Sequence, residues 1–244
     1  MITRHHVMLV LLSSLIVSSA IMTSDPGLAF LVVVGAVIGA ILPDVQMKRP
    51  RDSPLRTIAW AVVRAGRLVC MPVICFIFEK GFNIPAKTDD KRVTHSVVGL
   101  IICFLILSSI ATCLVLLLPY WVSPIPVIAL LAGVLLGFLL HLIEDMCCRR
   151  GVLLFYPFSD LVIYGSIRPC DVLDRRITGF HVYHGMVLFF FLVFLDAFTL
   201  PLSLLIGVSF IAIGICVLTM AWQSEVSTGI RENRLPDGSE VPST

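Results

Sequence analysis

The sequence predicts an all-α, polytopic membrane helix bundle with about six transmembrane helices and one further amphipathic or re-entrant helix. Of the 244 residues, 58% are hydrophobic and only 14% are charged, and the mean hydropathy is +0.99. Soluble domains carry about a quarter charged residues, so this composition is typical of a membrane protein. The hydrophobic residues fall into runs long enough to cross a bilayer as a helix. We expect one membrane domain at 1–222 and a polar, disordered cytoplasmic tail at 223–244.

The first two runs, 7–23 and 27–42, form a predicted helical hairpin. Arg4 before the first run imitates a secretory signal peptide, but a tight turn containing Asp25-Pro26-Gly27 and a second apolar run follow at once. We therefore interpret both runs as spans. Gly35 and Gly39 share a face of the second run, a spacing that favours close helix packing.

The next segment, 57–78, is apolar but interrupted by Arg64 and Arg67. We predict an amphipathic helix that lies at the membrane interface or re-enters it, with a full span as the competing interpretation. It is flanked by a basic loop at 45–56 and a polar segment at 79–92.

Four further spans follow at 97–118, 127–143, 183–199 and 202–222. The link at 119–126 is uncharged and contains Tyr120 and Trp121, which suit a membrane interface. The segment 144–180 is predicted as a long polar loop, and the last two spans form a hairpin broken at Pro201.

The charge distribution predicts the orientation. With Arg4 in the cytoplasm and six spans, all eighteen Lys and Arg residues lie on the cytoplasmic side, and only Asp25 and Asp196 lie toward the far side. This agrees with the positive-inside rule, which a seventh span at 57–78 would break. We therefore expect a multi-pass plasma (inner) membrane protein with both termini in the cytoplasm. The net charge of +2 is too small to indicate nucleic-acid binding.

The segment 137–157 carries the central polar motif. His141 and Asp145 are four residues apart and share one helix face. A neutral imidazole and a carboxylate at that spacing can bind one divalent cation. Gly133 and Gly137 continue the same row and leave room for a neighbouring helix.

The predicted topology places more polar residues at the same depth, where the helices end on the cytoplasmic side. They are His5, His6, Asp44, His95, His141 and Asp145. Any one of them alone suits an interfacial anchor or a helix end. Together they predict a site for one or two divalent ions, Zn, Mn, Fe or Mg. His181 and His184 lie at this depth too, and either complete the site or contact headgroups.

These motifs resemble the YdjM-like family of membrane-bound metal-dependent hydrolases. The resemblance covers about residues 5–160 and rests on four motifs: an N-terminal His, Leu42-Pro43-Asp44, Thr94-His95-Ser96, and residues 137–157. The last matches the family pattern at Gly137, His141, Asp145, Gly151-Val152, Leu154 and Pro157. The resemblance implies metal binding by His6, Asp44, His95, His141 and Asp145.

Two positions depart from the family pattern. Gln46 stands where the family often has a second acidic residue, and Asp90-Lys91-Arg92 stands where it often has His-Arg-Gly. Asp90 can still bind a metal, whereas Gln46 can do so only weakly. A second ion is then bound differently here, or the protein holds one ion or none.

The eight cysteines form no CxxC pair and lie mostly in or beside apolar runs. We expect them to be reduced packing residues, with Cys147-Cys148 as an alternative site for a soft metal.

The favoured functional hypothesis is a metal-dependent phosphohydrolase that acts at the cytoplasmic membrane face on a lipid or small-molecule phosphoester. Asp90 and Asp145 are the candidate catalytic carboxylates. The additional candidate ligands are His5, Asp90, Glu144, His181 and His184. The candidate anion-binding residues are Lys91, Arg92, Arg149 and Arg150, because basic side chains, and Arg forks above all, bind phosphate.

The alternative hypothesis is a non-catalytic membrane protein, either with a structural metal site or as a small transporter. The middles of the spans offer only Ser, Thr, Cys and Gly as polar or small residues, which argues against ion transport. The oligomeric state is left open.

Overall fold

The computed structural model describes residues 3–45, 54–118, 123–171 and 173–230. Its elements in chain order are α1 (Thr3–Met22), α2 (Pro26–Ile41), α3 (Pro54–Val69), α4 (Met71–Gly81), α5 (Lys91–Thr94), α6 (Val97–Leu117), α7 (Pro124–Met146), β1 (Leu161–Tyr164), α8 (Arg176–Ala197), α9 (Leu202–Gln223) and β2 (Ser227–Ile230). Five helices are long and apolar enough to cross a membrane: α1, α6, α7, α8 and α9. Helix α2 is apolar but shorter. The predicted helical membrane bundle is confirmed.

The turn between α1 and α2 follows from its sequence. The Asp25 carboxylate accepts hydrogen bonds from the backbone N–H groups of Gly27 (2.9 Å) and Leu28 (3.0 Å), which caps the start of α2. Pro26 occupies the first turn, where its missing N–H costs nothing. The two apolar runs are therefore held as a hairpin.

The segment predicted as an amphipathic or re-entrant helix is two helices, α3 and α4, bent by 42° at the break between them. Pro72 explains the break, because proline lacks an N–H and its ring crowds the preceding turn. The pair is apolar enough to be one broken span or a re-entrant segment. On α3 the Arg64 guanidinium lies 5.3 Å from the centre of the Trp60 ring.

Of the helix boundaries that differ from the sequence prediction, two lie near the polar motif or extend a helix by several residues. Helix α7 continues to Met146, although we predicted that the span ends at 143, because Glu144 and Asp145 are buried against side-chain partners. Helix α8 begins at Arg176, although we predicted 183. The Arg176 guanidinium binds the Asp174 carboxylate (2.7 Å) just before the helix, which stabilises this earlier start.

A small sheet corrects two predictions. Strands β1 and β2 pair antiparallel, with Leu161 opposite Ile230 and Tyr164 opposite Ser227. The predicted polar loop at 144–180 therefore contains a strand, and the predicted disordered tail is ordered as far as 230. Strands of four residues are too short to produce a recognisable periodicity, and their pairing joins distant parts of the chain. Residues 231–244 lie outside the described part, as do Gln46, Tyr120 and Trp121.

Helices α2 and α7 pack with their backbones in contact. The contact uses four glycines: Gly35, Gly39, Gly133 and Gly137. A Cβ atom added at Gly137 would overlap the backbone carbonyl of Ala36, and one added at Gly39 would overlap that of Val134. The close packing that the glycine spacing predicted is confirmed, and it brings the C-terminal ends of both helices together.

Substituting Gly137 by Val tests this contact. Because the new side chain meets backbone rather than a movable side chain, we expect destabilisation of about 1–3 kcal/mol or more. The measurement is the thermal unfolding midpoint of the detergent-purified protein. Gly207→Ala is the matched control, because nothing lies within 4 Å of a Cβ at Gly207. Equal midpoints for both variants would contradict the close contact.

Candidate metal centre

Three histidines and two aspartates converge at one end of the bundle. His6 lies in the first turns of α1, Asp44 follows α2, His95 lies between α5 and α6, and His141 and Asp145 lie in the last turns of α7. The three imidazoles are 0–2% exposed and Asp145 is 3% exposed. Asp44 is half-buried. Residues more than a hundred positions apart thus form one buried polar cluster.

The ligand atoms of this cluster lie at distances that suit a shared cation. His95 Nε2 is 3.1 Å from His141 Nε2 and 3.3 Å from Asp145 Oδ2. Asp44 Oδ1 lies 3.9 Å from both of these Nε2 atoms. Two ligands of a tetrahedral zinc ion, with bonds of 2.0–2.1 Å, lie about 3.3–3.4 Å apart.

His6 adds a third imidazole from the opposite side of Asp145. Its ring stacks on that of His141, with 4.0 Å between the ring centres. His6 Nε2 lies 3.2 Å from Asp145 Oδ1 and is buried without a well-directed hydrogen bond. A buried nitrogen without a hydrogen bond, facing a carboxylate oxygen, is suited to binding a cation.

The cluster contains two overlapping groups of possible ligands, in each of which the ligand atoms lie within 4.8 Å of one another. One group is His6, His141 and Asp145, and the other is Asp44, His95 and His141. His141 belongs to both. Its Nδ1 donates to the backbone carbonyl of Ala40 (2.6 Å), so only Nε2 is left to bind an ion. The two groups therefore form one site rather than two independent ones.

The Nδ1 atom of His6, like that of His141, is held by a hydrogen bond. Its Nδ1 lies 2.7 Å from Glu144 Oε2, so the two side chains share a buried hydrogen bond, in which the Nδ1–H group can donate to the carboxyl oxygen. A neutral imidazole has one N–H, so this contact leaves a lone pair on Nε2. Carboxylate–histidine pairs of this kind orient metal-binding imidazoles and raise their basicity. Glu144, predicted as a possible ligand, lies outside both groups of possible ligands. Its side chain contacts Nδ1 of His6, the ring nitrogen that is not near Asp145.

His95 is oriented by a hydroxyl group. Thr94 Oγ1 donates to the backbone carbonyl of Pro43 (2.9 Å) and lies 3.2 Å from His95 Nδ1, so the imidazole N–H donates to the hydroxyl oxygen. Burial lowers the pKa of His95 to about 4, which keeps the ring neutral at physiological pH. All three Nε2 atoms thus lie in the cluster, an arrangement that suits a bound cation.

Lys91 is the one amine in contact with this cluster among the residues that the structure describes. Its Nζ lies 2.8 Å from Asp145 Oδ2. Burial alone would lower the pKa of Lys91. The neighbouring Asp145 carboxylate opposes this effect and outweighs it, so the net shift of the pKa is upward. Lys91 therefore stays protonated and balances part of the negative charge of the cluster.

Asp90, predicted as a possible metal ligand or general base, lies outside both groups of possible ligands. Its carboxylate caps α5 by accepting from the backbone N–H of Arg92 (2.9 Å) and pairs with the Arg92 guanidinium (2.7 Å). The Arg92 guanidinium also lies 5.4 Å from the centre of the Tyr156 ring. The Asp90 carboxylate and the Arg92 guanidinium therefore bind each other, and Asp90 also caps its own helix.

The remaining candidate histidines also lie outside both groups. The rings of His5 and His181 face each other, with their centres 5.9 Å apart, where α1 contacts α8. His184 is buried, and its Nδ1 donates to the backbone carbonyl of Phe180 (2.8 Å). None of the three therefore contributes a ligand atom to either group.

The alternative soft-metal site at Cys147-Cys148 is not supported. Both cysteines are buried and free. Burial raises the pKa of the Cys147 thiol to about 12 and that of Cys148 to about 11, which disfavours the thiolate that binds metals. Neither cysteine belongs to a group of possible ligands in the described chain.

A cavity of about 350 Å³ adjoins the cluster at Asp145. Its wall carries four basic residues: Lys91, Arg149, Arg150 and Arg168. Three of them are among the predicted anion-binding residues. Arg168 escaped the sequence analysis because it lies in an irregular segment far along the chain from the motif, and only its proximity to Cys148 and Gly151 in the folded chain identifies it.

A comparison with known proteins identifies the family of the chain. No curated protein and no solved structure matches this chain. A family model described as YdjM inner membrane protein matches residues 1–225, a range that includes the whole cluster, the cavity wall and strand β1 but ends before β2. This chain belongs to the YdjM inner membrane protein family.

Proposed function

We propose that this protein is a metal-dependent hydrolase that cleaves a phosphoester at the cytoplasmic face of the membrane. The observation that carries the proposal is the convergence of three imidazole Nε2 atoms and two aspartates beside a cavity lined with basic side chains. Nitrogen and carboxylate donors suit Zn, Mn or Fe, and carboxylates also suit Mg. The residues that would hold one or two ions are His6, Asp44, His95, His141 and Asp145.

A divalent ion held by these residues would supply Lewis acidity, which polarises a phosphoryl oxygen and lowers the pKa of bound water. The chain's own residues supply orientation and charge. Glu144 and the Ala40 carbonyl hold His6 and His141 with their Nε2 atoms inward. Asp145 joins the cluster to the cavity, because its carboxylate contacts His95 and also forms part of the cavity wall.

The cavity indicates the class of substrate. Its basic side chains suit the oxygens of a phosphate group, since Arg and Lys bind phosphate by charge-assisted hydrogen bonds. A site at the end of membrane-embedded helices meets lipid headgroups and small soluble phosphoesters. The distribution of Lys and Arg along the chain supports a cytoplasmic location for this end and for both termini.

A structural metal site is the second candidate, and one observation favours it. Of the five possible ligands, only Asp145 borders the cavity, while the three imidazoles are almost fully buried. An ion there would tie α1, α2, α6 and α7 together without meeting a substrate. A small transporter is less favoured, because the cluster lies at one end of the bundle rather than in the middle of the spans.

The first prediction concerns the metal itself. We expect elemental analysis of the detergent-purified protein to find at least one transition metal per chain, and His141→Ala to lose it, because His141 belongs to both groups of ligands. His184→Ala is the matched control, since His184 is equally buried but lies outside both groups. A wild-type protein without metal, or equal metal in both variants, would contradict the site.

A second prediction separates supporting residues from unrelated ones. We expect Glu144→Ala to lower metal affinity by about 10- to 100-fold, because His6 loses the carboxylate that orients it. Asp90→Asn should leave the affinity unchanged, since asparagine still caps α5. The measurement is competition with a chelating dye. The reverse order of effects would show that Asp90, not Glu144, supports the ion.

A third prediction separates hydrolase from structural site. For a hydrolase, metal-loaded wild-type protein hydrolyses p-nitrophenyl phosphate or phosphatidic acid in mixed micelles, and Asp145→Asn lowers kcat by at least about 100-fold. Phosphate release and the thermal midpoint are measured on the same samples. Absence of turnover with each of Zn, Mn, Fe and Mg, together with a large loss of stability in Asp145→Asn, would favour the structural site.

A further inference from the structure

Lys91 lies between the metal cluster and the cavity. Its Nζ is 2.8 Å from Asp145 Oδ2, an oxygen that also lies 3.3 Å from His95 Nε2 and 3.9 Å from His141 Nε2. The Lys91 side chain is 41% exposed, whereas that of Asp145 is 4% exposed. Lys91 is also part of the cavity wall. One amine therefore has access both to a metal-binding carboxylate and to the cavity.

When an ion is bound, electrostatic repulsion makes contact with Asp145 and a position in the cavity alternatives for the Lys91 amine. A buried carboxylate needs a positive partner, and Lys91 supplies one to Asp145. Lys91 cannot keep this contact at full strength beside a divalent ion bound by the same carboxylate, because the two like charges would lie only a few ångströms apart in a poorly solvated place. A long, flexible side chain that is partly exposed can relieve the repulsion by turning into the cavity.

The cavity wall is built to receive an anion. Cys148 to Gly151 form a turn, closed by a 3.0 Å hydrogen bond from the Gly151 N–H to the Cys148 carbonyl, with Arg149 and Arg150 at its tip. The Arg149 N–H donates to the Ile167 carbonyl (2.9 Å), which fixes this turn beside Arg168.

The charge of the wall is positive. Among the described residues that line it, Asp145 is the only carboxylate, against four basic residues. In the described structure no carboxylate pairs with the guanidinium of Arg150 or Arg168. The volume of about 350 Å³ lies at the small end of ligand sites, so it suits a phosphate group rather than a whole lipid.

We propose that Lys91 couples the two sites: it pairs with Asp145 when no divalent ion is bound, and it turns to hold a phosphate-type dianion with Arg150 and Arg168 when an ion is bound. This inference rests on the proposed metal centre and assigns the cavity as its phosphate subsite. By linkage, metal and phosphate then bind with positive coupling. The consequence is that phosphate is held mainly by protein that already carries its ion.

The test follows the reactivity of the Lys91 amine in the full-length, detergent-purified protein. Acetic anhydride labels exposed lysines, and mass spectrometry gives the rate at each position. We expect Zn²⁺ to raise the Lys91 rate at least threefold over chelator-treated protein, and inorganic phosphate to lower it again only in the presence of Zn²⁺. Lys87 is the internal control, because it is exposed and lies outside the cavity wall.

Two variants separate the cavity from general charge. Arg168→Ala should abolish the protection of Lys91 by phosphate while leaving the metal content unchanged. Arg175→Ala, an exposed arginine outside the cavity wall, should behave as wild type. Nanodiscs of phosphatidylcholine with and without phosphatidic acid identify the source of the phosphate. Protection by phosphatidic acid but not by free phosphate assigns a lipid headgroup, and the converse assigns a soluble ligand.

The outcomes distinguish this inference from the proposed function. A Lys91 rate that does not change when Zn²⁺ is shown to bind overturns the coupling and leaves the metal centre intact. Phosphate protection that is equal with and without Zn²⁺, or that survives Arg168→Ala, also overturns it. A protein that binds no divalent ion overturns both.

Discussion

The backbone contact between α2 and α7 is the constraint on which the candidate site depends. Gly39 and Gly137 allow this approach, because any side chain there would overlap a carbonyl of the facing helix. The contact brings the Ala40 carbonyl within 2.6 Å of His141 Nδ1 and places Asp44 at the same end as Asp145. A helix pair held apart by ordinary side chains would break that hydrogen bond and remove the acceptor that turns His141 Nε2 inward.

Burial of charge is the second constraint. Asp145 is almost fully buried, and such a carboxylate is costly unless positive or hydrogen-bonding groups surround it. His6, His95 and Lys91 all lie within 3.3 Å of its oxygens. Because these partners come from α1, α5 and the start of α6, the cost of burying one charge is offset only when several segments dock together. Assembly of the bundle therefore creates the candidate metal site.

The small sheet helps to fix the cavity wall, although it lies apart from the candidate metal cluster. Strand β2 follows α9 and pairs with β1, and the Ser224 carbonyl accepts from the N–H of Ser166 (2.7 Å). Arg176 adds a hydrogen bond to the Ser166 hydroxyl (2.6 Å). The segment that carries Arg168 is thus fixed to the C-terminal helix. The cavity wall is completed by residues distant from the metal motif, within the range that matches the family.

The helical membrane class and most residues of the candidate metal centre can be predicted from local sequence. Hydropathy identifies helices, the i,i+4 spacing places His141 beside Asp145, and the common depth of helix ends brings in His6, Asp44 and His95. Such signals depend only on residue type and on distance along one helix. They do not contain the direction in which a side chain points once helices meet.

Tertiary packing decided the rest. Glu144 and Asp145 are neighbours of the same charge, yet one orients His6 and the other faces the cluster, because consecutive positions on a helix point in different directions. Asp90 has suitable chemistry but is held by its own helix cap and by Arg92. Arg168 joins the cavity through the pairing of segments far apart in the chain. Each of these outcomes depends on which groups face each other across an interface, and only the folded chain determines that.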